Sequence, residues 1–306
     1  MARILKKTAM TIKDKGAQVS WGTAGTSGVN FQDWGRKYLR ENGGCVYIDS
    51  DHLEICNPET LSAFDHAACW HAQLRLVRAA MERVNAVLPE GERLVVLVNN
   101  SDGHGHSYGS HLDFLLPRDT WEDLIHRKLH LMLFLASYQV SSIIFTGQGK
   151  AGSENDAPAV PYQIAQRADF WEKISGIETT VHRGIVNTRD EALCGNLDSP
   201  GKAGAPSFAR LHVIFYDNTL MHAACLLKVG VMQIVLAMIQ AGAVSTRLLL
   251  EDPLQAVRAY SHDPGLTARA TTIDGASLTA AEVQLRFLEE AGKFVRAGRC
   301  DGVVPN

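Results

Sequence analysis

Residues 42–54, Asn-Gly-Gly-Cys-Val-Tyr-Ile-Asp-Ser-Asp-His-Leu-Glu, bring Tyr47, Asp49 and Glu54 into one short stretch of chain. Alternation along a strand puts Tyr47 and Asp49 on one side and turns Ile48 toward a covering helix layer, with Glu54 and Glu59 following within reach. Oxygen ligands beside a further carboxylate suit Mg-nucleotide chemistry. Nucleotide-bound Mg takes one or two carboxylates plus phosphate oxygens, and another carboxylate can then deprotonate water or attack directly. From spacing alone, an exposed turn decorated with Asp49, Asp51 and Glu54 is the better reading.

Two further constellations could carry chemistry. In residues 97–111, Gly103, Gly105 and Gly109 permit close backbone approach, and His104, His106 and His111 could reach a ligand. His104 and His106 lie in a glycine-bearing loop without a third fixed ligand, so solvated side chains are expected there. His111, at the start of a strand, is the stronger candidate. The third group sets Arg189, at the end of one strand, beside Arg210 and His212 on another. Planar guanidinium groups suit phosphate neutralisation, and an internal Arg–Asp ion pair at strand ends explains the pattern about equally well.

The elements that must position these residues read as mixed strands and helices. A strand at 46–48 follows the Asn42-Gly43 turn. Asp65 can cap an amphipathic helix whose apolar positions are Leu74, Val77, Met81, Val84 and Leu88, with Pro89 beyond its end. Residues 93–98 read as a strand, joined through the glycine-rich 99–111 to a second at 111–116, as an antiparallel pair. A helix is expected over 119–138, and strands at 140–145, 184–187 and 211–215. Loops are expected at 147–161 and 192–206, an apolar helix at 223–243 and a last helix at 280–295. No linker composition divides the chain. Neighbouring strands with helices between pairs of them predict an α+β fold, an antiparallel-rich sheet covered on one face.

Composition narrows the class. The chain has 306 residues, 46% hydrophobic, enough for a sizeable core. A net charge of -3 without a Lys/Arg block argues against a nucleic-acid partner. Arg3, Lys6, Lys7, Lys13 and Lys15 precede no apolar stretch, so the start does not resemble a secretory signal and a cytoplasmic protein is expected. Lys228, Gln233 and Gln240 interrupt the apolar run 223–243, which reads as a buried helix instead of a membrane span. The six cysteines form no C-x-x-C pair and read as reduced thiols.

The residues quoted, in order along the chain, resemble the Pup ligase and Pup deamidase/depupylase family. The resemblance covers about residues 42–295 and rests on NGGCVYIDSDHLE, VNNSDGHGHSYGSH, IAQRADFW, IETTVHRGIVNTRDE, RLHVIFYDN, LLKVG and SHDPGL. Residues 100–110, 176–191 and 261–266, with the short spacing from Asp49 to Glu54, are closer to the deamidase branch.

That resemblance implies a fold similar to glutamine synthetase and the carboxylate-amine ligases, with an antiparallel sheet cradle covered by helices. It implies ATP and Mg as cofactors, ATP being retained by the hydrolase and not spent each turnover. The substrate would be Pup, a small disordered ubiquitin-like modifier whose C-terminal glutamine is deamidated, or whose isopeptide bond in pupylated proteins is cleaved. Asp49 matches the catalytic aspartate, Tyr47 and Glu54 the residues that position magnesium, and Asn57 falls near a nucleotide contact; His111, Arg189, Arg210 and His212 are assigned to the nucleotide. The alternatives are a Pup–protein ligase and a noncatalytic binder.

The sequence departs from the family pattern in places. Nothing in residues 1–30 reproduces its opening Glu-x-Glu metal motif, Cys45 stands where an arginine is expected, and Leu112, Asp113 and His222 replace a glutamate, an asparagine and a glutamate. The expected organisation is a poorly ordered segment at 1–30 and a partial catalytic domain at 31–306 without the family's C-terminal small domain.

Overall fold

The computed structural model describes residues 36–39, 42–49, 52–190 and 208–300. The segment 1–30, Asp51, Cys194 and the loop expected at 192–206 lie outside the described residues. The chain forms two compact units, Met1–Leu97 and Val98–Asn306, a division that the local composition does not mark.

In the first unit, β1 (Lys37–Tyr38), β2 (Cys45–Asp49) and β3 (His52–Cys56) make a three-stranded antiparallel sheet in that order. Its turn is built by Gly43, at φ 76°, a left-handed conformation that glycine adopts without penalty. Asn42 reinforces it, its side chain accepting from Gly44 N–H at 3.0 Å. Helix α1 (Ala63–Asn85) follows. Its cap is Ser62, not Asp65: Ser62 Oγ accepts from Asp65 N–H at 3.1 Å, and Asp65 instead places its charge in the first turn, where the helix dipole favours it. The expected stripe is present, with Val84 buried and Leu74, Val77, Met81 and Leu88 half-buried.

Residues 93–98 do not form the expected strand. Their backbone bonds sideways to α1: Asn85 accepts from Leu94 N–H at 2.8 Å and donates to Leu94 C=O at 2.9 Å, and Val96 N–H reaches Met81 Sδ at 3.4 Å. Backbone groups satisfied by side chains need no neighbouring strand.

In the second unit, β4 (Leu112–Pro117) therefore pairs not with 93–98 but with β9 (Phe208–Val213), antiparallel, with Leu112 opposite Val213 and Pro117 opposite Phe208. The chain leaves β4 through a short α2 (Arg118–Glu122) and a wide π turn at Asp123–Arg127 before α3 (Leu129–Thr146). Short antiparallel strands β5 (Lys150–Ala151) and β6 (Tyr162–Gln163) edge the following loop, while β7 (Trp171–Gly176) and β8 (Arg183–Asn187) pair in parallel.

Helix α3 absorbs residues 140–145, expected as a strand. The run Val-Ser-Ser-Ile-Ile-Phe has strand-like composition but is almost wholly enclosed, so its period carries no information about which face is wet. Phe134, Leu135, Ala136, Tyr138 and Val140 are at most 1% exposed, and each large apolar side chain so buried contributes about 1.5–3 kcal/mol. The helix hides its hydroxyls by turning them on its own carbonyls: Ser137 Oγ donates to Leu133 O and Ser141 Oγ to Ser137 O, both at 2.6 Å.

Packed on α3 are α4 (His222–Gln240), α5 (Pro253–Ser261) and α6 (Ala280–Arg296), the last two flanking the hairpin β10 (Arg269–Thr271) and β11 (Ser277–Thr279). Helices α3 and α4 are each long and apolar enough to cross a membrane, but 72% and 56% of those windows are buried within the protein, as core helices are. Thr279 opens α6 with a reciprocal cap: its hydroxyl accepts from Glu282 N–H at 3.2 Å, and Glu282 accepts from Thr279 N–H at 2.8 Å. Thr279→Ala is expected to lower stability by about 1 kcal/mol, read as a shift in the urea midpoint; an unchanged midpoint would remove the cap from the account.

Candidate functional site

The β2–β3 hairpin brings together three of the candidate residues. Its register sets Tyr47 directly opposite Glu54 and Asp49 opposite His52, and the Tyr47 hydroxyl donates to a Glu54 carboxylate oxygen. Asp49, two residues along from Tyr47, lies on the same face and is exposed at the strand tip. The Arg36 guanidinium stacks 3.8 Å over the Tyr47 ring, a cation–π contact that clamps the phenol from β1's side of the sheet. Burial, and then the bond to Glu54, raise the Tyr47 pKa, so the phenol stays protonated and able to donate.

Ile48 is 45% exposed. It is not covered by a helix layer as alternation suggested. Asn57 directly follows β3, and its side-chain oxygen is buried without a hydrogen-bond partner among the described residues. An orphaned acceptor of this kind costs roughly 1–3 kcal/mol unless a donor arrives. The groups on this hairpin face, a phenol and two carboxylates, are all oxygen and fit Mg, not a soft metal. Among the described residues no three His, Cys, Asp or Glu side chains converge as a metal cage.

The second unit assembles a separate polar face on β4 and β9. Asp113 stands opposite His212, and Leu115 opposite Arg210. His212 Nδ1 donates to Asp113 Oδ1 at 2.7 Å, and Arg210 Nη1 lies 3.6 Å from the same oxygen. Although lost hydration works against it, the His212 bond and the Arg210 charge hold Asp113 below the usual carboxylate range. His111 meets His212 edge-on, ring centres 5.0 Å apart. Loss of hydration, then the nearby Arg167 and His212, push its pKa down, which keeps the imidazole neutral while its outer edge is exposed.

Arg210 Nε is buried without a partner among the described residues. The Arg–Asp reading of this region is half realised: Asp190 pairs with Arg118, not with Arg189 or the Arg210 side chain, and accepts from Arg210 N–H at 3.1 Å. Arg189 follows β8, half-buried, its N–H held by Asn187 Oδ1 at 3.0 Å. As expected, His104 and His106 stay in an exposed turn, which Asp102 closes by accepting from both backbone N–H groups and from His106 Nδ1.

Reading the sequence missed a buried polar cluster. Asp169, in the IAQRADFW stretch, has no exposed side-chain surface and accepts from Gln163 Nε2 at 2.7 Å, Glu154 N–H at 2.9 Å and His262 Nε2 at 2.7 Å, with Lys150 Nζ at 3.5 Å. Beside it Arg167, fully buried, donates to Ser107 Oγ at 3.0 Å and to the Tyr216 carbonyl at 3.2 Å, with its guanidinium 5.0 Å over Trp171. The signal was there: an Arg and an Asp inside an otherwise apolar run are costly to bury unless satisfied.

Lys228, of LLKVG, is also buried, donating to Asp217 C=O at 3.1 Å and Ser110 Oγ at 3.3 Å. Burial lowers its pKa to about 8, and the nearby Arg167 adds to the fall. Unfolded, a lysine titrates near about 10.4. Between these values the unfolded chain holds more protons, so stability should rise with pH from about 8 to about 10, by on the order of 2 kcal/mol from this group. Lys228→Met should flatten that rise in urea titrations at a series of pH values; an equally steep rise in the variant would assign the effect elsewhere.

A family model described as Pup-ligase protein matches residues 6–302. The depupylase of Acidothermus cellulolyticus is 36% identical over 283 residues, covering 92% of this chain and 53% of that protein. The Pup deamidase/depupylase of Mycolicibacterium smegmatis is 35% identical over 254 residues, 83% of this chain and 48% of its own length. A Pup–protein ligase from Acidimicrobium ferrooxidans is 35% identical over 268 residues, 85% of this chain and 55% of that protein. The Pup ligase PafA solved in complex with ADP aligns with a TM-score of 0.64 at 26% identity, over 92% of this chain and 61% of that one. PafA from its complex with the prokaryotic ubiquitin-like protein Pup gives 0.63 at 26% identity, over 86% and 50%. The chain thus spans about half the length of the curated relatives it matches.

Proposed function

The chain belongs to the Pup-ligase protein family and shares its glutamine-synthetase-like α+β fold, and from that premise we propose that it hydrolyses a side-chain amide or isopeptide bond of Pup in an ATP-dependent manner. Its partners are then Pup and pupylated proteins, and its compartment the cytoplasm. The observation that carries this reading is the β2–β3 hairpin, where the exposed Asp49 shares a strand face with the bonded pair Tyr47 and Glu54.

In this reading Asp49 activates water or attacks the amide carbonyl directly. Tyr47 fixes the Glu54 carboxylate by its hydrogen bond, and these two would hold magnesium, which would supply positive charge against a phosphate chain. Asn57 offers its unpartnered oxygen to the nucleotide. Taken by itself, the second unit presents Arg189, Arg210, His212 and His111 as groups suited to an anion, with Arg210 Nε, which has no partner among the described residues, the donor with most to gain. A flexible modifier would order itself on binding.

The Pup–protein ligase among the relatives, at an identity close to that of the deamidases, favours ligation as the second reading. Incubation with glutamine-ended Pup and ATP-Mg separates the two. Release of ammonia and glutamate-ended Pup supports hydrolysis. ADP release with glutamate-ended Pup and a lysine-bearing acceptor supports ligation, while nucleotide and Pup binding without turnover leaves a noncatalytic binder. Absence of Mg-dependent nucleotide association in a titration would overturn the nucleotide chemistry altogether.

A further inference from the structure

We propose that Cys45 and Cys56 form a redox-modifiable pair that closes to a cross-strand disulfide on oxidation. The two residues are register partners at the base of the β2–β3 hairpin. Directly opposed residues of an antiparallel pair have Cα atoms about 4.5–5.5 Å apart, within the range about 4.4–6.8 Å that a disulfide needs. Both are free thiols and, as directly opposed residues, they project from the same side of the sheet. Arg36 Nη1 lies 3.8 Å from Cys45 Sγ, so a cation borders the pair. Cys45 is 2% exposed and Cys56 is half-buried, which makes Cys56 the sulfur that an incoming oxidant meets first.

With a peroxide as oxidant the atoms balance in two steps. The Cys56 thiol attacks a peroxide oxygen, the O–O bond breaks, and a sulfenic acid and one water form. The Cys45 thiol then displaces the sulfenic hydroxyl as a second water, so two thiols are oxidised to one disulfide and one peroxide is reduced to two waters. The bond ties the strand that carries Tyr47 and Asp49 to the strand that carries Glu54. A dithiol reductant reverses it.

The test uses the intact protein, treated with hydrogen peroxide, blocked with iodoacetamide and cleaved without reduction. Cleavage after Glu54 separates the two cysteines into different peptides. The expected product is a linked peptide pair lighter by two hydrogens than the sum of its parts, with alkylation lost at both positions and restored by dithiothreitol. Cys69→Ser should leave the link intact, and Cys45→Ser should abolish it and leave Cys56 as a single oxidised or alkylated residue. Continued alkylation of both thiols after peroxide, or recovery of Cys56 linked to Cys69 or to a second copy of the chain, would overturn the proposal. Because the readout is a covalent mass, it is independent of whether the protein acts on Pup.

Discussion

Asp49→Asn is expected to reduce turnover of glutamine-ended Pup by about 10²–10⁴-fold or more, the range lost when a positioned base is removed. The substitution keeps the shape of the side chain and takes away its basicity. Because Asp49 is exposed at the tip of β2 and its neighbours in the hairpin are fixed by strand pairing, its loss should move stability by no more than about 0.5 kcal/mol. Pup affinity should be nearly unchanged, so the loss falls on kcat and not on KM. The assay therefore has three readouts: deamidation rate, melting temperature and Pup affinity. Turnover equal to the parent's would remove Asp49 from the chemistry. A parallel fall in melting temperature would instead make it a structural residue.

The second large effect concerns the cluster that the sequence did not advertise. Asp169→Leu is expected to destabilise the protein by about 3–5 kcal/mol, the cost of leaving a buried ionic partner uncompensated. The substitution strands His262, removes the acceptor for Gln163 and for the Glu154 backbone, and takes from Lys150 the farther of its two carboxylates, the nearer being Glu154 at 2.7 Å; all four groups point at one carboxylate with no exposed surface. For a unit of this size the melting temperature should fall by on the order of 10 °C. Asp169→Asn keeps one acceptor oxygen and should cost less.

The acid behaviour gives an independent check. Burial works against ionisation of Asp169, but the bonds from Gln163, Glu154 and His262 outweigh it and hold its pKa below the ordinary carboxylate value. Its contribution is thus complete above about pH 4 and lost as pH falls through the lowered folded value. The variant should show a shallower loss of stability in acid. A melting temperature within a degree or two of the parent's would show that the cluster is dispensable to the fold.

What could be read without coordinates was local. The Asn42-Gly43 turn and the alternation that follows place Tyr47 and Asp49 on one strand face, and the short spacing to Glu54 puts that residue on the returning strand; the structure pairs Tyr47 with Glu54 directly. Helices α1 and α6 were legible because a half-wet apolar stripe reports its own period, and α4 because its apolar run is too long for a strand. The family resemblance was legible for a related reason: its motifs are short, contiguous and ordered along the chain.

What depended on distant parts of the chain was decided by tertiary structure. Asp113 and His212, 99 residues apart, meet only because β4 selects β9 as its partner, while residues 93–98 turn their backbone bonds to α1 instead. Residues 140–145 are helix, and because they are almost wholly enclosed their composition alone could not distinguish a strand from a helix. Asp169 is buried with its carboxylate satisfied only once Gln163, the Glu154 backbone and His262, 93 residues further on just past α5, are brought to it. Local pattern records how a segment divides water from apolar contact, but strand partners and desolvated ion pairs join groups far apart in sequence, and their energy exists only once the chain has brought them together.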